Sequence, residues 1–238
     1  MKPHKNIGLH PTNALKIALK LFDNKQTTKE KISLLLNNRS VSNLESVDTP
    51  KDFASGKTID INAGELLGIG SVAAYYNWMS EEAGTGNTYQ AVVGIEDAGK
   101  NQIESQLSDG AIYHDQVNGK ILAQQVMTQG YYPDKWITSQ DVIDAVKKKC
   151  AERHKYHENC ILIVNVFGDK VNVDRKVIYD EISKLSEPFS DTYMVVYGLP
   201  SLKMAHVSFI SEPPDTRGLA LKLERHEYED IWHFNKMD

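Results

Sequence analysis

The sequence has few of the residues and runs that mark several large classes of protein. It contains two cysteines, Cys150 and Cys160, among 238 residues, which is too few for a disulfide-stapled scaffold. No stretch approaches the roughly 18 consecutive apolar residues that a membrane-spanning helix needs. The N-terminal sequence MKPHKNIGLHPTNALKIALK lacks the uninterrupted apolar core of a secretory signal. We therefore expect no membrane association and a cytoplasmic location.

Basic charge is also scarce. The chain has 27 Lys and Arg residues against 32 Asp and Glu, and its formal net charge is -5. This balance argues against a surface coated with basic residues for nucleic acid, although it leaves room for a local basic cleft. The hydrophobic fraction of 41% and the charged fraction of 25% are typical of a globular protein.

Common catalytic signatures are missing from the sequence. There is no G-x-S-x-G nucleophile elbow. The glycine pair in GIGS, at 68–71, lies inside a predicted helix, and GTGN, at 84–87, is too short for a phosphate loop with its lysine. Nucleophilic hydrolases and phosphate-loop enzymes are therefore poor matches.

The first 50 residues are predicted to form a small N-terminal helical appendage. TNALKIALKLFDN and TTKEKISLLLNN have helical apolar spacing, and the polar segment that follows is typical of a linker. Two helices in succession fit either a helix-turn-helix or a helical hairpin that packs on the main domain. No basic recognition helix follows, which favours the hairpin.

Residues 51–238 are predicted to form an α/β domain with a mixed central sheet flanked by helices. CILIVNVFG is a continuous apolar run, as expected for a strand buried on both faces. Antiparallel strands followed by a strand-helix-strand crossover imply a mixed sheet. The predicted order is the helix AGELLGIGSVAAYYNWMSEEAG, strands in TYQAVVGIED, DGAIYHD and KILAQQVM, the helix SQDVIDAVKKKCAERHKY capped by Ser139, the strand CILIVNVFG, the helix NVDRKVIYDEISKLSE, and strands in DTYMVVYGL, KMAHVSFISE and LALKLE.

Acidic and amide residues fall at suggestive places in this order: Glu65 in the first long helix, Asp109 before a strand, and Gln124 or Gln125 on the next strand. The arrangement resembles the PD-(D/E)xK, or restriction-endonuclease-like, superfamily over residues 59 to about 200. The resemblance implies a metal-dependent nuclease that cleaves or binds nucleic acid. Asp109 and Glu65 would hold Mg²⁺, and Gln124 would complete the catalytic site with help from Lys148.

The chemistry of phosphodiester cleavage shows where the chain departs from this pattern. A divalent cation polarises the phosphate and activates water, and a lysine neutralises the developing charge. Two residues after Gln124 and Gln125 stand Val126 and Met127, so the expected lysine is absent from the strand. Lysines at 147–149 could substitute for it from the following helix, or could form a solvated helix face near a C-terminus.

The missing lysine leaves a second function open. The same fold with its site lost would be a catalytically inactive module that binds protein or nucleic acid. Adjacent strand residues point to opposite faces, so only one of the two glutamines can face Asp109.

Both functions, the nuclease and the inactive binding module, are compatible with a homodimer.

A different register of the same motif is available earlier in the chain. Asp97 precedes Glu104 and Gln106 across a turn that contains Lys100. This alternative keeps two carboxylates, but another strand pair follows it before the helix. The family order fits it less well, and exposed charges on a hairpin are the favoured explanation.

The segment CAERHKYHENC offers ligands for zinc. Cys150, His154, His157 and Cys160 are suitable residue types, and Cys150 and His154 lie on one helical face. The usual close Cys-x-x-Cys pair is missing. Cys150 falls on an apolar helical stripe and Cys160 opens an apolar strand, which favours cysteines that pack as small hydrophobes.

Overall fold

A computed structural model gives the arrangement of the helices and strands. For some residues within these helices and strands, including Gln124, the structure describes the backbone but not the side chain. The structure describes residues 5–23, 30, 37–38, 63–95, 110–116, 119–129, 135–151, 160–168, 170–186, 189–197, 204–213, 221–225 and 232–236.

The chain divides into two compact units, residues 1–121 and 122–238. In the first, strands pair antiparallel in the order β1-β2-β3. Its described elements are β1 (Lys5–Leu9), α1 (Pro11–Asp23), α2 (Ala63–Glu82), β2 (Tyr89–Ile95) and β3 (Ala111–His114).

Helix α2 forms the centre of the first unit. It is apolar around most of its circumference, and residues such as Leu66, Ile69 and Val72 are fully buried, as its sequence predicts. Helix α1 packs closely against it at Gly70, where an added Cβ would lie 3.2 Å from the Cβ of Ala14. The small residues at this crossing therefore allow the two helices to approach each other.

Strand β1 is an element that the sequence did not predict. It pairs with β2 in a register that runs from Lys5 opposite Ile95 to Leu9 opposite Ala91. The first 23 residues therefore contribute a strand and a helix to this unit. The boundary predicted at residue 50 lies outside the described residues and stays a prediction.

The second unit contains a mixed sheet, ordered β4-β6-β8-β9-β10-β11. The pairs β4/β6 and β6/β8 are parallel, and the remaining pairs are antiparallel. Strands β5 and β7 form a separate parallel pair. The bounds are β4 (Gly119–Gln129), β5 (Ile137–Thr138), α3 (Ser139–Ala151), β6 (Cys160–Phe167), β7 (Val171–Asn172), α4 (Arg175–Ile182), β8 (Phe189–Tyr197), β9 (Met204–Phe209), β10 (Leu221–Arg225) and β11 (Trp232–Lys236).

Strand β6 lies between two parallel neighbours, and all eight of its residues are buried. This confirms the prediction from its continuous apolar run. Leu162, Val164 and Val166 pack in one core cluster with Val142 of α3 and Ile178 of α4. Parallel strands with helical crossovers thus account for the part of this unit from β4 to β8.

The short helix α4 is held at its start by Asp174. The carboxylate of Asp174 accepts hydrogen bonds from the backbone N–H groups of Lys176, at 2.8 Å, and Val177, at 3.3 Å. These bonds satisfy donors that the first helical turn leaves unpaired.

The hydroxyl of Ser139, predicted to cap α3, instead accepts a 2.7 Å hydrogen bond from the backbone N–H of Asp174. The bond ties the beginnings of α3 and α4 together.

The chain therefore has a mixed α/β architecture, in which both antiparallel and parallel strand pairs are associated with helices. Among the described helices, none combines the length and apolarity needed to cross a bilayer.

Candidate functional site

The four residues predicted to form the catalytic site differ in how far the structure describes them. Glu65 lies in the first turn of α2 and is partly buried. Gln124 lies on β4 opposite Leu162 of β6, but its side chain is outside the description. Lys148 is exposed in the last turn of α3. Asp109 lies outside the described residues, so a shared metal site for Asp109 and Glu65 stays a prediction.

The neighbouring glutamine, Gln125, belongs to a buried chain of hydrogen bonds. The side-chain Nδ2 of Asn165 donates to Oε1 of Gln125 at 2.7 Å. The hydroxyl of Tyr197 donates to Oδ1 of Asn165 at 3.3 Å. Gln125 exposes 5% of its surface, Asn165 none and Tyr197 2%. We call these three residues the amide network.

The register of the sheet explains why the amide network forms. Gln125 pairs with Ile163 on β6, two residues before Asn165, so the side chains of Gln125 and Asn165 leave the same face of adjacent strands. Tyr197 stands two strands from β4, and its ring stacks on Phe167 with 4.7 Å between centroids. A protein interior tolerates polar side chains when they form hydrogen bonds, as these three residues do.

The amide network is electrically neutral, which limits its chemistry. Magnesium prefers carboxylate oxygens and water, and a nuclease needs a cation near the scissile phosphate. On this strand the Gln125 oxygen is already bonded to Asn165, and Met127, two residues on, carries neither charge nor oxygen in its side chain. The described side chains of Gln125 and Met127 therefore add no charge to their face of β4.

A small cleft lies between β4 and α3, within the second unit. Its volume is about 270 Å³. The residues around it combine an apolar wall with charged groups and one hydroxyl, and we call it the α3 cleft. It is lined by Val126, Met127, Thr128, Lys135, Ile137, Asp141, Asp144, Ala145 and Lys148.

Asp141, on the rim of this cleft, is held by local hydrogen bonds. Its Oδ2 accepts from the backbone N–H of Thr138 at 2.8 Å and from the Thr138 hydroxyl at 2.9 Å, and Lys135 lies 3.4 Å from Oδ1. The backbone hydrogen bond from Thr138, supported by the hydroxyl and by Lys135, lowers the pKa of the Asp141 carboxyl below its usual value. Asp141 therefore stays ionised, and it matches the acidic partner of a helix capping box.

Replacing Asp141 by alanine is expected to lower the free energy of unfolding by about 1 kcal/mol at neutral pH, because Thr138 loses its acceptor. The pKa is lowered in the folded state, so this stabilisation exists above the unfolded pKa of about 4 and disappears as the pH falls through the folded pKa. Urea unfolding of both proteins at pH 7 and below pH 4 measures the difference. A pH-independent difference, or one no larger than that of the exposed control Asp180→Ala, contradicts this role.

The other polar groups of the cleft make fewer hydrogen bonds than Asp141 does. Asp144 accepts a 2.7 Å hydrogen bond from Gln140 at one oxygen, Oδ1. The Lys148 ammonium has no hydrogen bond or ion pair with other described residues. Thr128 exposes 9% of its surface, and its hydroxyl has no hydrogen-bond partner among the described residues. The Thr128 hydroxyl is shielded from solvent, so among these groups the cleft presents the exposed side chains of Asp144 and Lys148.

The alternative metal sites receive no support from the described residues. Cys160 is buried in the core cluster of the second unit and Cys150 packs against that cluster, as expected of cysteines that pack as small hydrophobes. His154 and His157 lie outside the description, as does the register from Asp97 to Gln106. Within the described ranges, no three His, Cys, Asp or Glu side chains converge as metal ligands would.

Several of these residues were not predicted from the sequence. Asn165 is the one polar residue in the run CILIVNVF, and a lone amide in a doubly buried strand is a usable signal for an internal hydrogen bond. The spacing Thr138-x-x-Asp141 likewise indicates a capping box. Thr128 and Asp144 carry no local signal, because the strand and the helix bring them together only in the fold.

Comparison of the chain with models of known families, with curated protein sequences and with solved structures finds no match.

Proposed function

We propose that the chain is a restriction-endonuclease-like α/β protein that acts as a non-catalytic binding module. The order α2, β2, β3, β4, α3, β6 supports the architecture. Two strand pairings also support the architecture. Strands β2 and β3 pair antiparallel in the first unit, and β4 and β6 pair parallel around α3 in the second. These are the pieces that the resemblance predicts, in the predicted order.

The amide network is the observation that carries the proposal, because it engages one of the two glutamines that could complete a metal site. Gln125 is the one of the two candidate glutamines whose side chain is described, and its oxygen accepts a hydrogen bond from Asn165 inside the protein. Gln125 exposes only 5% of its surface, so a metal ion could reach that oxygen only if the buried network opened and separated Gln125 from Asn165. Leaving the buried Asn165 donor unsatisfied costs about 1–3 kcal/mol.

The position of Met127 supports the same conclusion. In the resembled family a lysine two residues after the acid or glutamine faces the reacting phosphate. Met127 shares a strand face with Gln125 and cannot supply positive charge there. Electrostatic stabilisation is usually the largest contribution to such catalysis, so a strand without this charge suits binding better than cleavage.

A metal-dependent nuclease is the second candidate, and one observation favours it. Lys148 is exposed in the helix after β4 and is not engaged by other described residues. In this alternative, Asp109 and Glu65 hold Mg²⁺, Gln124 completes the site and Lys148 assists, with DNA or RNA as the substrate.

The experiment that separates the two candidates is a cleavage assay with Mg²⁺ or Mn²⁺ on plasmid, single-stranded DNA and RNA. Wild type is expected to show no cleavage above the level of Asp109→Ala or Lys148→Met. Metal-dependent cleavage by wild type that Asp109→Ala abolishes would replace the binding module with the nuclease.

A further inference from the structure

We draw no further inference here: the strongest candidate, the half-buried ring stack of Tyr76, Tyr89 and His114 where α2 meets β2 and β3, carries nothing, because its rings pack on one another and nothing in the structure shows what covers it.

Discussion

Replacing Asn165 by alanine is expected to lower the free energy of unfolding by about 3 kcal/mol. The variant removes the donor to Gln125 and the acceptor for Tyr197, and it leaves a cavity in a strand that is buried on both faces. The lost hydrogen bonds and the cavity each contribute roughly 1–2 kcal/mol. This is a large fraction of the 5–15 kcal/mol that stabilises a typical domain.

Urea unfolding followed by circular dichroism measures this effect, with Asn172→Ala as the matched control. Asn172 is an exposed asparagine in the same unit, so its replacement is expected to change stability by less than about 0.5 kcal/mol. Tyr197→Phe removes one hydroxyl and is expected to cost about 1 kcal/mol. If Asn165→Ala and Asn172→Ala have the same free energy of unfolding, the amide network does not stabilise the sheet.

Replacing Gly110 by alanine is expected to destabilise the first unit by about 3 kcal/mol. The backbone of Gly110 has φ +131°, which residues with a side chain rarely adopt. A Cβ there would lie 2.8 Å from Cδ1 of Ile69 and 3.2 Å from the carbonyl oxygen of Val92. Ile69 is fully buried, so backbone strain and overpacking add, at about 1–3 kcal/mol each.

Gly84→Ala is the matched control for this variant. Gly84 also has a positive φ, +63°, but an added Cβ would meet nothing within 4 Å. Its replacement is expected to cost only about 1 kcal/mol, from the backbone conformation alone. Comparable unfolding midpoints for Gly110→Ala and Gly84→Ala would show that the first unit relaxes around Ile69 more easily than its packing indicates.

The parts of the fold that could be predicted are those with a strong local pattern. Helix α2 is apolar nearly all round, α3 has a stripe through Val142 and Val146, and β6 is a continuous apolar run. Such patterns indicate directly which side chains are buried, because the helix and strand periods determine which side chains share a face. The crossover from β4 through α3 to β6 then follows from the handedness and length of such connections.

Strand β1 shows why the rest could not be predicted. KNIGL is short and half polar, and it becomes a strand by pairing with β2, more than 80 residues later. The choice between Gln124 and Gln125 has a similar origin. Alternation predicts that the two face opposite sides, but only the pairing of β4 with β6 brings Gln125 to its buried hydrogen bond with Asn165.

The most direct test of the central claim is to add Mn²⁺ and follow the side-chain amide NMR signals of Gln125 and Asn165. A bound paramagnetic ion broadens nearby signals, so a metal site on β4 would be visible without any substrate. Because the Gln125 oxygen is bonded to Asn165 and Met127 carries no metal-binding oxygen, both signals should persist unchanged at stoichiometric Mn²⁺. Saturable broadening of both signals that Asp109→Ala abolishes would contradict a non-catalytic site and restore the metal-dependent nuclease.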